Sequence, residues 1–154
     1  MLLTLAHIGG KPGKSGPKAG FDALTRLYMD RIGPYHPCNS EVFATEAAFL
    51  AWIGRQQSRV PAVAVLLDSR GRQLSSEDFA AWLGAKRDQG AQHLVFAIGP
   101  ADGWSAETLK DARPQLTLSF GPITLPHELA RLVLAEQLYR ACTILAGHPY
   151  HSGH

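Results

Sequence analysis

The stretch between Pro126 and Gly147, HELARLVLAEQLYRACTILA, restricts the fold more than any other part of the chain. The spacing predicts one long helix that begins near Thr124 or Pro126. Proline is tolerated in a first turn, and Glu128 suits the positive end of the helix dipole. Gly147 is a natural stop, and Pro149 bars continuation. Within the helix, Glu128, Arg131, Glu136, Gln137, Arg140 and Thr143 do not gather on one broad face, and apolar residues wrap most of the cylinder. A helix of that kind must be buried nearly all round, which a chain of 154 residues rarely achieves alone. The expectation is a second subunit packed against it, with a central core helix of a monomer as the alternative.

Upstream, apolar runs alternate with amphipathic stretches. Leu2–Ile8, Ala62–Leu67, His93–Ile98 and Leu116–Phe120 read as strands, the middle two as strands buried on both faces. Glu41–Phe43 is a shorter candidate strand. Helices are expected over Phe21–Ile32, over Thr45–Gln57 with Thr45 as cap, from Ser75 to Gly90, and over Ser105–Ala112. This alternation predicts one α/β domain over residues 1–154, with a mostly parallel sheet and helices on both faces. Ligands in such sheets sit beyond the carboxyl ends of the strands. Three loops then become candidate walls of one pocket: Leu67 with Asp68, Gly99 to Gly103, and Gly121 to Pro126.

Several functions are excluded or made unattractive by the residues. GGKPGKSGP after the first strand imitates a phosphate-binding P-loop, but only three residues separate Gly9 from Gly13 where four are required. Gly16 and Pro17 are also expected to interrupt the helix that such a loop needs. Cys38 and Cys142 form no metal-binding pattern and no disulfide framework, which fits a reducing, cytoplasmic setting and no metal. No apolar run approaches a membrane span. The net charge of +2 is modest. Its distribution says more, since Lys11, Lys14, Lys18, Arg26 and Arg31 crowd the first 31 residues, and Arg70 and Arg72 flank Gly71. Local basic excess of this kind steers polyanions.

Three segments carry a family resemblance: LLDSRGRQLSSEDFA, the stretch Phe96–Gly103, and ITLPHELARLVLAEQLYRACTILAGHPYH. Together they resemble the ribosomal RNA large subunit methyltransferase H family, of the SPOUT class. The resemblance covers Leu67 to His151 well, the first strand loosely, and Gly33 to Pro61 weakly. It implies a homodimer with a C-terminal trefoil knot. The implied activity is transfer of a methyl group from S-adenosylmethionine to N3 of a pseudouridine in 23S rRNA, on the assembled ribosome. By motif, Leu67, Gly99, Pro100, Gly103 and Gly121, Pro122, Ile123, Thr124, Leu125 and Pro126 would line the cofactor pocket. His127, Arg140, Tyr150 and His151 would lie near the reacting centre, with His151 assisting proton removal, Tyr150 positioning the base, and Arg140 holding a phosphate or an acidic partner. Two departures stand out. Pro100 replaces a glycine usual in the family, and Ser152, Gly153 and His154 follow Pro-Tyr-His where a basic residue is usual. They open a competing reading, a cofactor-binding relative that grips rRNA without turnover.

Overall fold

The computed structural model describes residues 1–9 and 16–152. Its strands are β1 (Leu2–Ile8), β2 (Cys38–Phe43), β3 (Ala62–Gln73), β4 (His93–Ile98) and β5 (Leu116–Ser119). They alternate with α1 (Gly16–Ile32), α2 (Glu46–Gln56), α3 (Ser76–Asp88), α4 (Ala106–Asp111) and α5 (His127–Leu145), and a single 3-10 turn at Pro149–His151 ends the described chain. The sheet order is β2-β1-β4-β3-β5, and every neighbouring pair is parallel.

The apolar runs explain the centre of the sheet. All six residues of β4 are buried, as are six of the seven in β1. That requires cover on both faces. One face carries α1, α3 and α5, which bring Ile32, Phe79, Leu83, Leu134 and Leu138 onto Leu3, Leu5, Phe96 and Leu118. The other carries α2 and α4, where Phe49, Ile53 and Ala112 pack on Ala6, Ala64 and Val95. Local chemistry sets the helix starts. The hydroxyls of Thr45, Ser75 and Ser105 accept hydrogen bonds from the backbone N–H groups of Ala48, Asp78 and Thr108.

Two expectations are corrected. Gly16 and Pro17 do not interrupt the first helix but open it, because a proline in the first turn loses no hydrogen bond that the helix would have made. The basic loop before it, residues 10–15, lies outside the described residues, as do residues 153 and 154. Second, β3 does not stop at Asp68. Leu118 of β5 pairs with both Leu67 and Arg72, so residues 68–71 loop out between two rungs of one ladder before pairing resumes at Gln73 with Ser119. Within the chain α5 is only partly covered, with Leu129, Leu132, Val133, Tyr139, Ile144 and Leu145 left half-buried. It packs between α1 and α3, and Leu134, Leu138, Ala141 and Cys142 are buried in the protomer's own core.

Candidate active site

Beyond the carboxyl ends of β3, β4 and β5 the structure forms a cavity of about 390 Å³. Leu67, Ile98 and Leu118 line it at the strand ends, with the loops Gly99–Trp104 and Gly121–Leu125 around it and His127 and Ala130 from the first turns of α5. Of the residues singled out from sequence, Leu67, Gly99, Pro100, Gly103, Gly121, Ile123, Thr124, Leu125 and His127 meet here. Pro122 and Pro126 are not among the lining residues. Ile123 is 69% exposed, a large apolar side chain left uncovered on the cavity wall.

Close backbone approach makes this shape. A Cβ on Gly71 would lie 2.5 Å from the carbonyl oxygen of Thr117, so the loop that leaves β3 crosses directly over β5. A Cβ on Gly99 would lie 2.9 Å from the ring of Trp104. That indole is buried, and its Nε1–H donates to the carbonyl of Leu67 at 3.0 Å, which ties the β4 loop to the end of β3. Ser119 adds a further tie: its hydroxyl accepts from Gly121 N at 3.0 Å and reaches the carbonyl of Ser69 at 3.2 Å.

The polar side chains at the cavity are Asp68, Ser69, Arg70, Asp102, Thr124 and His127. The Asp68 carboxylate accepts from the backbone N, Nε and Nη2 of Arg70, each at 2.8 Å, and those hydrogen bonds hold it below the ordinary carboxylate range. His127 contributes a buried Nε2 with no hydrogen-bond partner among the described residues, while its Nδ1 lies 4.0 Å from the position a Cβ on Gly9 would take. Buried ring nitrogens are normally paired, so an orphan one beside a cavity points to a ligand. Asp68 was expected at the pocket wall beside Leu67, whereas Trp104 and Arg70 were not singled out from sequence as site residues. The one available signal was a tryptophan directly after Asp-Gly and just before the capping Ser105.

Arg140, Tyr150 and His151 assemble elsewhere. Glu136 Oε1 accepts from Arg140 Nη2 at 2.7 Å and from the Tyr150 hydroxyl at 3.0 Å, and the Arg140 guanidinium lies 4.9 Å from the Tyr150 ring centroid. Burial, with the Glu136 carboxylate beside it, pushes the Tyr150 phenol upward, so it stays a proton donor near neutral pH. His151 Nδ1 lies 3.0 Å from Arg140 Nη1, and its Nε2 lies 2.6 Å from Glu77 Oε1. Guanidinium only donates and carboxylate only accepts, so the partners assign the imidazole proton to Nε2 and the lone pair to Nδ1. The carboxylate thus fixes the ring and its tautomer, while the Arg140 Nη1–H occupies the Nδ1 lone pair. Glu77 is therefore a further member of this cluster, unforeseen from sequence, and the His151 contact lowers its carboxyl from the usual value. Arg140 stands ten residues beyond Ala130 on α5, about 15 Å along the axis. The cysteines offer no alternative nucleophile, since burial pushes Cys38 up to about 12 and Cys142 to about 11.

A parallel α/β sheet with a glycine-walled crevice at its carboxyl edge is a small-molecule or cofactor-binding architecture. The family described as "Predicted SPOUT methyltransferase" matches residues 13–151, and the chain belongs to that family. It is 50% identical over 154 residues to "Ribosomal RNA large subunit methyltransferase H" of Koribacter versatilis (strain Ellin345), covering 100% of both chains. It is also 43% identical to the protein of the same name from Xanthobacter autotrophicus, over 98% of this chain and 99% of that one. Among solved structures, the SpoU methyltransferase AviRb from Streptomyces viridochromogenes, in complex with the cofactor AdoMet, superposes with a TM-score of 0.52 at 13% identity. That match covers 95% of this chain and 58% of AviRb, and it supports the fold. Among the described residues no helix is long and apolar enough to cross a membrane.

Proposed function

We propose that the chain is an S-adenosylmethionine-dependent methyltransferase acting on N3 of a pseudouridine in 23S rRNA, as a cytoplasmic homodimer working on the assembled ribosome. The observation that carries this reading is the cavity at the carboxyl ends of the strands, walled by glycines and by apolar and polar side chains, with one imidazole nitrogen that has no partner among the described residues. Its volume lies within the range of small-molecule sites. The donor, when bound, supplies an electrophilic methyl on a cationic sulfur. Leu67, Ile98 and Leu118 exclude water from it, and the loops around Gly99 and Gly121 set its orientation by backbone contact. Methyl transfer is an in-line displacement, so alignment at about 3 to 3.5 Å between the reacting atoms is the main demand.

The acceptor imide must also lose a proton. His151 supplies an imidazole with Nε2–H held by Glu77, and its Nδ1 lone pair, which accepts from Arg140 Nη1 within one chain, takes the proton once the acceptor displaces that contact. Within one chain it stays near Arg140, about 15 Å along α5 from the cavity. In our reading the tail of a second copy therefore completes the pocket, with Tyr150 as a neutral donor that positions the base. His127 holds the acceptor or donor on the near side. Leu24 and Leu27 of α1 remain 47% and 42% exposed beside α5, an apolar surface suited to that second copy. Residues 1–154 make a single domain in which the segment after β5 is threaded as a trefoil knot. This accords with the loop at residues 68–71, which leaves the β3–β5 ladder and rejoins it over Thr117.

The test is transfer of labelled methyl to ribosomes from a strain lacking the modification, with the product located by mass spectrometry. Label on N3 of a pseudouridine in 23S rRNA is the expected result. Donor binding with no label above background would instead support the non-catalytic relative that Pro100 and the altered tail bring to mind.

A further inference from the structure

Beyond the donor pocket itself, the structure leaves one cationic group unexplained at its rim. Arg70 stands in the loop at residues 68–71, 63% exposed, while its partner carboxylate on Asp68 is 4% exposed. Its donors can be counted. Nε and one Nη2 hydrogen go to the two oxygens of Asp68, each at 2.8 Å, and Nη2 also reaches the carbonyl of Trp104 at 3.3 Å. A guanidinium has five N–H groups, so the two on Nη1 remain without a partner among the described residues. The fork is thus fixed in orientation by a buried acceptor on one side and a loop carbonyl on another, and its free edge stands at the mouth of the cavity.

We infer that the Nη1 edge of Arg70 receives a phosphate oxygen of the acceptor RNA strand and sets that strand's register over the donor pocket. This rests on the proposed rRNA activity and deepens it by naming a contact. A planar fork already held by a carboxylate is suited to directing a phosphate, because little further side-chain freedom is lost on contact. The exposure of Arg70 places the contact on the solvent side, where a polymer approaches, and not within the apolar interior that would enclose a small donor. Asp68 offsets most of the charge, so the contact positions the strand more than it attracts it.

The experiment measures binding to ribosomes lacking the modification by co-sedimentation, and binding of S-adenosylmethionine by calorimetry, for the full chain and for Arg70→Ala. The expected result is a loss of about ten-fold in ribosome affinity, the size of one charge-assisted hydrogen bond, with donor affinity within two-fold of the parent. Arg70→Lys should recover only part of the loss, since it keeps charge without the fork. The double variant Asp68→Asn/Arg70→Ala removes the buried carboxylate that the single change strands, and should show the same loss while remaining folded. A fall in donor affinity instead would assign the edge to the donor's own carboxylate and overturn the inference. Unchanged binding of both would reduce Arg70 to a clasp on the Trp104 loop and overturn it equally. A parent protein that fails to bind ribosomes at all would take down the proposed function and this contact with it, whereas the other outcomes strike only Arg70.

Discussion

The two ends of α5 present opposite kinds of chemistry. At its start, His127 and Ala130 face an open cavity, and the buried His127 Nε2 has no partner among the described residues. Near its end, Glu136, Arg140, Tyr150, His151 and Glu77 satisfy one another in a closed network of charged and hydroxyl groups. The first end lacks partners and is shaped to receive something. The second is rich in partners and is shaped to hold a base in one tautomer. Methyl transfer needs both functions at one carbon, and a single rigid helix keeps them apart. The difference therefore argues for assembly, because each end supplies what the other end of another copy lacks.

The largest effect should come from disturbing the crossing that makes the cavity end. Gly71→Ala places a Cβ 2.5 Å from the Thr117 carbonyl oxygen, which no flexible side chain can relieve. The expected cost is about 3 kcal/mol or more, at the high end of overpacking, read as a loss of soluble protein or a large drop in melting temperature. Donor binding should disappear with it. A stable Gly71→Ala variant with normal donor affinity would mean that the crossing does not define the pocket.

Next in size is a pair of changes that separates folding from assembly. Leu134 is fully buried in the protomer's own core, so Leu134→Glu should unfold the chain and not merely split a dimer. The double variant Leu24→Glu/Leu27→Glu alters an exposed surface and should leave the far-ultraviolet circular dichroism unchanged while sedimentation shows monomers. Those monomers should bind donor and fail to turn over. A monomer that keeps full turnover would place both ends of α5 in one working site and sink the argument for assembly.

At the tail end, His151→Ala should lower turnover by about 100-fold, within the usual range for a general base, with donor affinity unchanged. Glu77→Gln should be milder, because the amide can still accept from Nε2–H while losing the charge that orients the ring. Equal loss of turnover and donor affinity in His151→Ala would make the tail a scaffold.

How far this contrast could be read from residues alone differs between the ends. The strands β1 and β4 were legible because unbroken apolar runs of strand length have few other uses in a protein of this size. The second half of β3 was not, because Ser69, Arg70, Arg72 and Gln73 are exposed, and only Arg72 and Gln73 pair with β5 after the loop. Cover for α5 was legible as a need, but not its source, since periodicity shows which faces are apolar and not which chain covers them. The cavity walls were found through glycines after strands, whereas Trp104 sits in what reads as a turn. The Glu77 contact joins residues 74 positions apart and leaves no local signal.

The smallest expected effect concerns pH and rests on the burial of His93 and His36. At the opposite edge of the sheet, the Thr4 hydroxyl donates to Asn39 Oδ1 at 2.6 Å and so must accept from Nε2–H of His93 at 2.8 Å. Burial lowers the His93 imidazole from its ordinary value, and also that of His36. A group whose folded value is depressed binds fewer protons in the folded state, so stability is full above the unfolded value of about 6.5 and declines as pH falls through the window below it. Asp68 and Glu77 are shifted downward as carboxylates, so the cavity clasp and the tail contact keep their charge throughout that window. Melting temperature should therefore fall gently between pH 7 and pH 5. His93→Gln, which keeps a donor toward Thr4 without a titrating ring, should flatten the thermal decline at some cost in packing. A decline left unchanged by His93→Gln would place the acid-sensitive group elsewhere than at this imidazole.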